Sequence, residues 1–235
     1  MSQPSPNAHL GEPLLDRWLA DAARLAPDAG RERWVQEGSL LLRAWGQPHR
    51  RYHTVEHLHE VLAALDELAA AGAVREDDAL IARVVAWFHD VHHDARATAP
   101  GSNEHRSATM ARDHLHQLGV ADDVVDAVEA GVLMTADHDV SRSGSSTALV
   151  AAVHDADLWI LSAPRDRYAA YRRQVREEYA HLPEGLFRDG RSAILRGFAG
   201  RERLYVTGHA HAAWTGGARA NVAAEIADLG AGEPA

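Results

Sequence analysis

The segment RYHTVEHLHEV, residues 51–61, holds three histidines and two glutamates in eleven residues. His53 and His57 are four apart, so a helix that starts early enough carries both imidazoles on one face. His57, Val61 and Leu65 then form an inward stripe. A second segment, DDALIARVVAWFHD, begins with acids suited to a helix N-terminus. It is then apolar nearly all round, through Leu80, Ile81, Val84, Val85, Trp87 and Phe88, which is the pattern of a buried helix. That helix ends on His89 and Asp90, where an unpaired buried carboxylate is costly. A third segment, TALVAAVHDADLWIL, places Asp155 and Asp157 among apolar neighbours.

A metal ion would meet all of these costs together. His57 and His89 offer imidazole nitrogens, and Asp90 and Asp157 offer carboxylate oxygens, with Asp155 the rival of Asp157. This mixed set suits one or two divalent ions of Mn, Fe, Co, Ni, Zn or Mg. Two such ions can clamp a phosphoryl group and activate water. The chain has sixteen histidines, and His9, His49, His59, His114, His116, His209 and His211 are read as surface or core residues.

The same segment satisfies a second pattern. His53-Thr54-Val55-Glu56-His57 is an H-x-x-E-H sequence, as in inverted zinc metallopeptidases, with Glu56 as general base and Glu129 as third ligand. That reading leaves His89, Asp90 and Asp157 without a role. It also wants a mixed helix-and-sheet domain.

The elements that must position these groups are helical. Apolar residues recur at helical spacing almost everywhere, and strand-like alternation is scarce. The pattern predicts an all-α fold with helices at 14–25, 31–45, 54–70, 77–90, 103–118, 121–134, 146–161, 165–180, 185–198, 201–213 and 218–229. Breakers such as ARATAPGSN and DVSRSGSS separate them. No internal repeat or long linker divides the chain, so a single helical domain is expected over 14–229. Residues 1–13 and 230–235 are expected to be flexible ends.

Composition narrows the chemistry. Without cysteine, thiolate metal sites, disulfides and cysteine nucleophiles are excluded. Without lysine, there is no P-loop lysine and no Schiff base, so phosphate must be held by arginine, histidine, backbone or metal. A formal charge of −10 argues against a nucleic-acid or anionic-lipid surface. No apolar run reaches the ~20 residues of a membrane span, and the first residues lack a signal-peptide layout, so a cytoplasmic protein without membrane contact is expected.

His57, FHD at 88–90 and DADL at 155–158 match the ordered H…HD…D signature of the HD superfamily. YHTVEH, HDVHH, SNE at 102–104, TADH at 135–138 and ADL follow the order seen in cyclic-nucleotide phosphodiesterases, which are HD-type helical enzymes. Over nearly its whole length the chain most resembles predicted metal-dependent phosphohydrolases of that superfamily, including the stretch YAAYRRQVREEYAHLPEGLFRDGRSAILRGF and the later RLYVT and ARANVAAEI.

The resemblance implies a helical HD-type bundle with extra C-terminal helices. It makes His57, His89, Asp90 and Asp157 the metal ligands, with Asp90 able to bridge to a second ion. His53 becomes the general acid, a role that an imidazole one turn from a ligand can fill. His93, with His92 as its competitor, and His138 fall where a second metal or a phosphate would be held. The base-recognition glutamine segment of the phosphodiesterases is not found, so cyclic nucleotides are not implied.

An arginine-rich stretch follows Arg165. Much of it reads as a solvated helix face, with Arg173 and Glu177 as partners. Arg176, Arg191 and Tyr179 are candidates for a substrate wall, with Tyr168 and Tyr171 nearby to stack on a base. The expectation is a hydrolase that attacks a nucleotide or related small phosphoester or phosphoanhydride with metal-activated water. The alternatives are the zinc peptidase and a metal- or nucleotide-binding protein without turnover. Trp and Leu residues on several helices would suit a homodimer as readily as a core.

Overall fold

A computed structural model of the chain describes residues 11–142 and 147–231. Most of the two expected flexible ends, and the first position of the helix expected at 146–161, lie outside the described residues. Among those described there are ten α-helices and no strand: α1 (Gly11–Leu25), α2 (Arg31–Trp45), α3 (Val55–Ala70), α4 (Glu76–Phe88), α5 (Ser102–Gln117), α6 (Asp122–Met134), α7 (Thr147–Asp157), α8 (Arg165–Glu178), α9 (Glu184–Ala199) and α10 (Gly208–Ala231). The fold is all-α.

The core is built around α4. Glu76, Asp77 and Asp78 favour its positive N-terminal end, and every residue from Val84 to Phe88 is buried. Fully burying side chains such as Phe88 contributes roughly 1.5–3 kcal/mol each. Trp18 packs against Trp34, Trp87 and Phe88 at centroid distances of 5.3–6.2 Å. Trp45 donates its indole N–H to the Trp87 carbonyl at 2.9 Å, which ties α2 to the end of α4. The one buried cation on α4, Arg83, is held by the Asp21 carboxylate at 3.0 and 3.1 Å.

Helices α3, α4 and α7 pack on one another, and these three deliver the candidate ligands. Thr54 caps α3 by accepting the Glu56 N–H, which starts the helix two residues after His53. Helix α7 tightens into a 3-10 turn, Leu158–Ser162, against which α8 and α10 pack.

The chain departs from expectation near its C-terminus. The helices expected at 201–213 and 218–229 are one helix, α10, preceded by a loop. Gly216 and Gly217 do not break it. A Cβ on Gly217 would lie 3.0 Å from the Ser162 carbonyl oxygen, so this glycine lets the α10 backbone approach the 3-10 turn. The loop before α10 is fixed by Asp155, whose two carboxylate oxygens accept the N–H groups of Val206 and Thr207 at 2.7 Å each. Thr207 then caps α10 by accepting the Ala210 N–H.

Candidate metal centre

His57 enters from the first turns of α3, His89 caps α4, Asp90 follows it, and Asp157 ends α7. Their donor atoms converge. His57 Nε2 lies 3.3 Å from His89 Nε2, 3.2 Å from Asp157 Oδ1 and 3.9 Å from Asp90 Oδ2. His89 Nε2 lies 3.5 Å from Asp157 Oδ1 and 3.4 Å from Asp90 Oδ2. Donors ~2.1 Å from a shared ion sit ~3.0 Å apart at right angles and ~3.4 Å apart in a tetrahedron. These separations are of that size.

The outer nitrogens say which atoms face the centre. His89 Nδ1 donates to the Ala86 carbonyl at 2.8 Å, which leaves a lone pair on Nε2 in the neutral ring. His57 Nδ1 is 3.1 Å from the Tyr52 hydroxyl, and donation there frees its Nε2 likewise. Two nitrogen lone pairs and two carboxylates then face one point in a buried site, an arrangement that could hold a cation.

The metal-free electrostatics agree. Burial would lower the pKa of His89, but Asp90 and Asp157 raise it to about 9. Burial works against ionising Asp157, yet His89 and the hydrogen bonds from His57 and His89 hold it well below the usual carboxylate range. Asp90 is lowered against the same opposition by His89, then His53 and His93. A proton on His89 stands where a metal's charge would.

A cavity of about 190 Å³ leads to this point and is lined by His53, His57, Asp90, His138, Asp157 and Arg191 among others. His53 Nε2 is 3.8 Å from Asp90 Oδ2. His138 Nε2 is 3.5 Å from Asp157 Oδ2, while its buried Nδ1 has no hydrogen-bond partner. His138 also holds a left-handed backbone, φ 54°, uncommon for a side chain of its size. Burial lowers its pKa to about 4, against Asp157.

His93 sits elsewhere. Its ring stacks on His53 with centroids 3.9 Å apart, and its Nε2 lies 2.7 Å from Glu178 Oε1. It lines an outer cleft with His92 rather than the metal cavity. Asp155 also faces away, held by His154 and the loop before α10.

The three candidates for a substrate wall divide. Arg191 lines the cavity, but its guanidinium is committed to Glu225 at 2.9 and 3.1 Å and to the Tyr171 hydroxyl at 2.9 Å. Arg176 binds Glu184 and the carbonyls of Tyr179 and Leu182, so it clasps the α8–α9 connection. Tyr179 lines a neighbouring hollow with Tyr171 and Arg191.

Two residues essential to this geometry were not foreseen. Glu178, 8% exposed, accepts the backbone N–H groups of Arg51, Tyr52 and His53 on Oε2. Its Oε1 pairs with His53 Nδ1. Burial opposes its charge, but the hydrogen bond with His53 and the nearby His93 lower its pKa far below the ordinary glutamate value. Arg50 donates to the carbonyls of His53, Asp90 and Val91 at 3.1, 2.7 and 2.7 Å, joining the loop before α3 to the end of α4.

His53, His93 and Glu178 also form a three-donor group. Its 2.7 Å His93–Glu178 contact is a hydrogen-bond length, shorter than the spacing of two ligands on one ion. Glu178 hydrogen-bonds His53, and His93 Nε2 lies against the same carboxylate without hydrogen-bond geometry.

Comparison with protein-family models, with curated proteins and with solved structures finds no match. No helix among the described residues is long and apolar enough to cross a membrane.

Proposed function

We propose that the chain is a metal-dependent phosphohydrolase of HD type that cleaves a small phosphoester or phosphoanhydride. The observation that carries this reading is the convergence of His57 Nε2, His89 Nε2, Asp90 and Asp157, with an imidazole, His53, beside them and outside the ligand set. A divalent ion bound there supplies Lewis-acid polarisation of the phosphoryl group and a lowered pKa for water.

The chain's own residues do the rest. His53 exchanges its proton at Nε2, because Glu178 holds Nδ1 and so points the other nitrogen into the cavity. Protonated, it delivers a proton to the leaving oxygen. Burial and the adjacent His93 lower its pKa, against Asp90 and Glu178, which makes the protonated ring a stronger acid. Tyr52 and the Ala86 carbonyl orient the two ligand imidazoles. Leu158, Ile160 and Leu161 give the cavity an apolar part to its wall.

The peptidase reading finds less support. Glu56 accepts from Gln174 at 3.3 Å, Glu129 pairs with Arg112, and neither lines the metal cavity. The separating experiment is a comparison of His53→Ala and Glu56→Ala in metal-loaded protein. The phosphohydrolase reading expects loss of phosphate release of about 10²-fold or more in the first and little change in the second. The reverse pattern, with cleavage of a casein peptide, would replace it.

A further inference from the structure

The metal cavity adjoins a second hollow of about 260 Å³ between α8 and α9. Tyr52, His53, Tyr171, Arg191 and Ile194 line both. Past this shared wall the lining is mostly apolar, formed by Val175, Leu182, Leu186 and Phe187. Leu186 and Ile194 on α9, both in this lining, are 62% and 54% exposed, so the hollow opens to the surface over an apolar rim.

The polar groups of the shared wall are turned inward and paired. The Tyr52 hydroxyl meets His57, the Tyr171 hydroxyl accepts from Arg191, Arg191 is bound by Glu225, and His53 Nδ1 faces Glu178. Of the side chains deeper in the hollow, the Tyr179 hydroxyl is the polar exception. A nucleobase edge or a sugar would lose water there and gain few partners, whereas a hydrocarbon or aromatic group would gain from burial.

Building on the phosphohydrolase reading, we propose that this hollow receives an apolar organic group esterified to the phosphate, so that alkyl or aryl phosphoesters are preferred to nucleotides and sugar phosphates. The shared wall fixes the order of the parts: phosphate at the metal centre, hydrocarbon between α8 and α9.

The test is calorimetric binding of methyl- through hexylphosphonate to the metal-loaded protein, beside hydrolysis of the matching alkyl phosphates. Affinity is expected to rise about fourfold per methylene until the hollow is full. Gly190 lies in its lining, and a Cβ there meets nothing within 4 Å, so a side chain can start from this position and Gly190→Leu serves as the variant meant to narrow the hollow. Gly190→Leu and Ile194→Asp should each flatten the series. A flat series in the unaltered protein, or one that both variants leave intact, would overturn the proposal. So would dissociation of a dimer by Ile194→Asp with the series unchanged, because the covering surface would then be a second copy. Chain-length-dependent binding with no ester hydrolysed would keep the hollow as a ligand site and remove the hydrolytic reading instead.

Discussion

Glu178 holds His53 from 125 positions further along the chain: one carboxylate oxygen receives the backbone N–H of His53 and the other pairs with its Nδ1. The side chain that would move a proton is thereby oriented from both its main chain and its ring. Glu178→Gln should therefore lower kcat by about 10- to 100-fold, the scale of lost support for a site residue, while metal stoichiometry stays unchanged. Steady-state kinetics beside metal analysis checks this.

The same carboxylate makes stability depend on acid. Its folded pKa lies below the ordinary value of 4.5, so its contribution is fully present above pH 4.5 and is lost as pH falls below it. Urea midpoints should drop below pH 4.5 in the parent chain, and the drop should be smaller in Glu178→Gln.

Metal binding should release protons. In the metal-free chain His89 is raised to about 9, so its stabilising charge is present below pH 6.5 and is lost as pH rises through 9. A bound ion must displace that proton. At pH 7 calorimetry in two buffers of different ionisation enthalpy should show about one proton released from His89. Apparent affinity should climb by about tenfold per pH unit toward pH 9.

Asp155 and Asp157 should separate cleanly. Asp157→Asn replaces the candidate ligand's carboxylate with a neutral amide and is expected to abolish tight metal binding with the fold retained. Asp155→Asn weakens two backbone hydrogen bonds before α10 and should cost about 1–3 kcal/mol while metal still binds. Metal content and urea unfolding of the two variants decide it.

The cluster of His57, His89, Asp90 and Asp157 was legible because these polar groups interrupt apolar helices, each sitting where burial is costly without a partner. Glu178 had a fainter signal. Tyr168, Tyr171, Val175 and Glu178 form one buried stripe at helical spacing, but Glu178 stands beside the solvent-facing Glu177 in an arginine-rich run that reads as surface. Arg50 left little trace, since the partners that join it to the end of α4 are the Asp90 and Val91 carbonyls, about forty residues away. The gap left between the two expected C-terminal helices spans Gly217, a glycine that serves close approach to Ser162 inside α10 and not helix termination. Here a further outcome follows: Gly217→Ala should destabilise by about 1 kcal/mol through its 3.0 Å contact, whereas Gly190→Ala should stabilise by roughly 0.5–1 kcal/mol.

The most direct test strips the protein of metal, refills it separately with Mn, Co, Ni, Zn or Mg, and follows phosphate release from a panel of esters beside Asp90→Ala. The account predicts release that metal restores and that Asp90→Ala loses. Equal release by the stripped protein or by Asp90→Ala would contradict it, as would tight metal binding with no ester turned over.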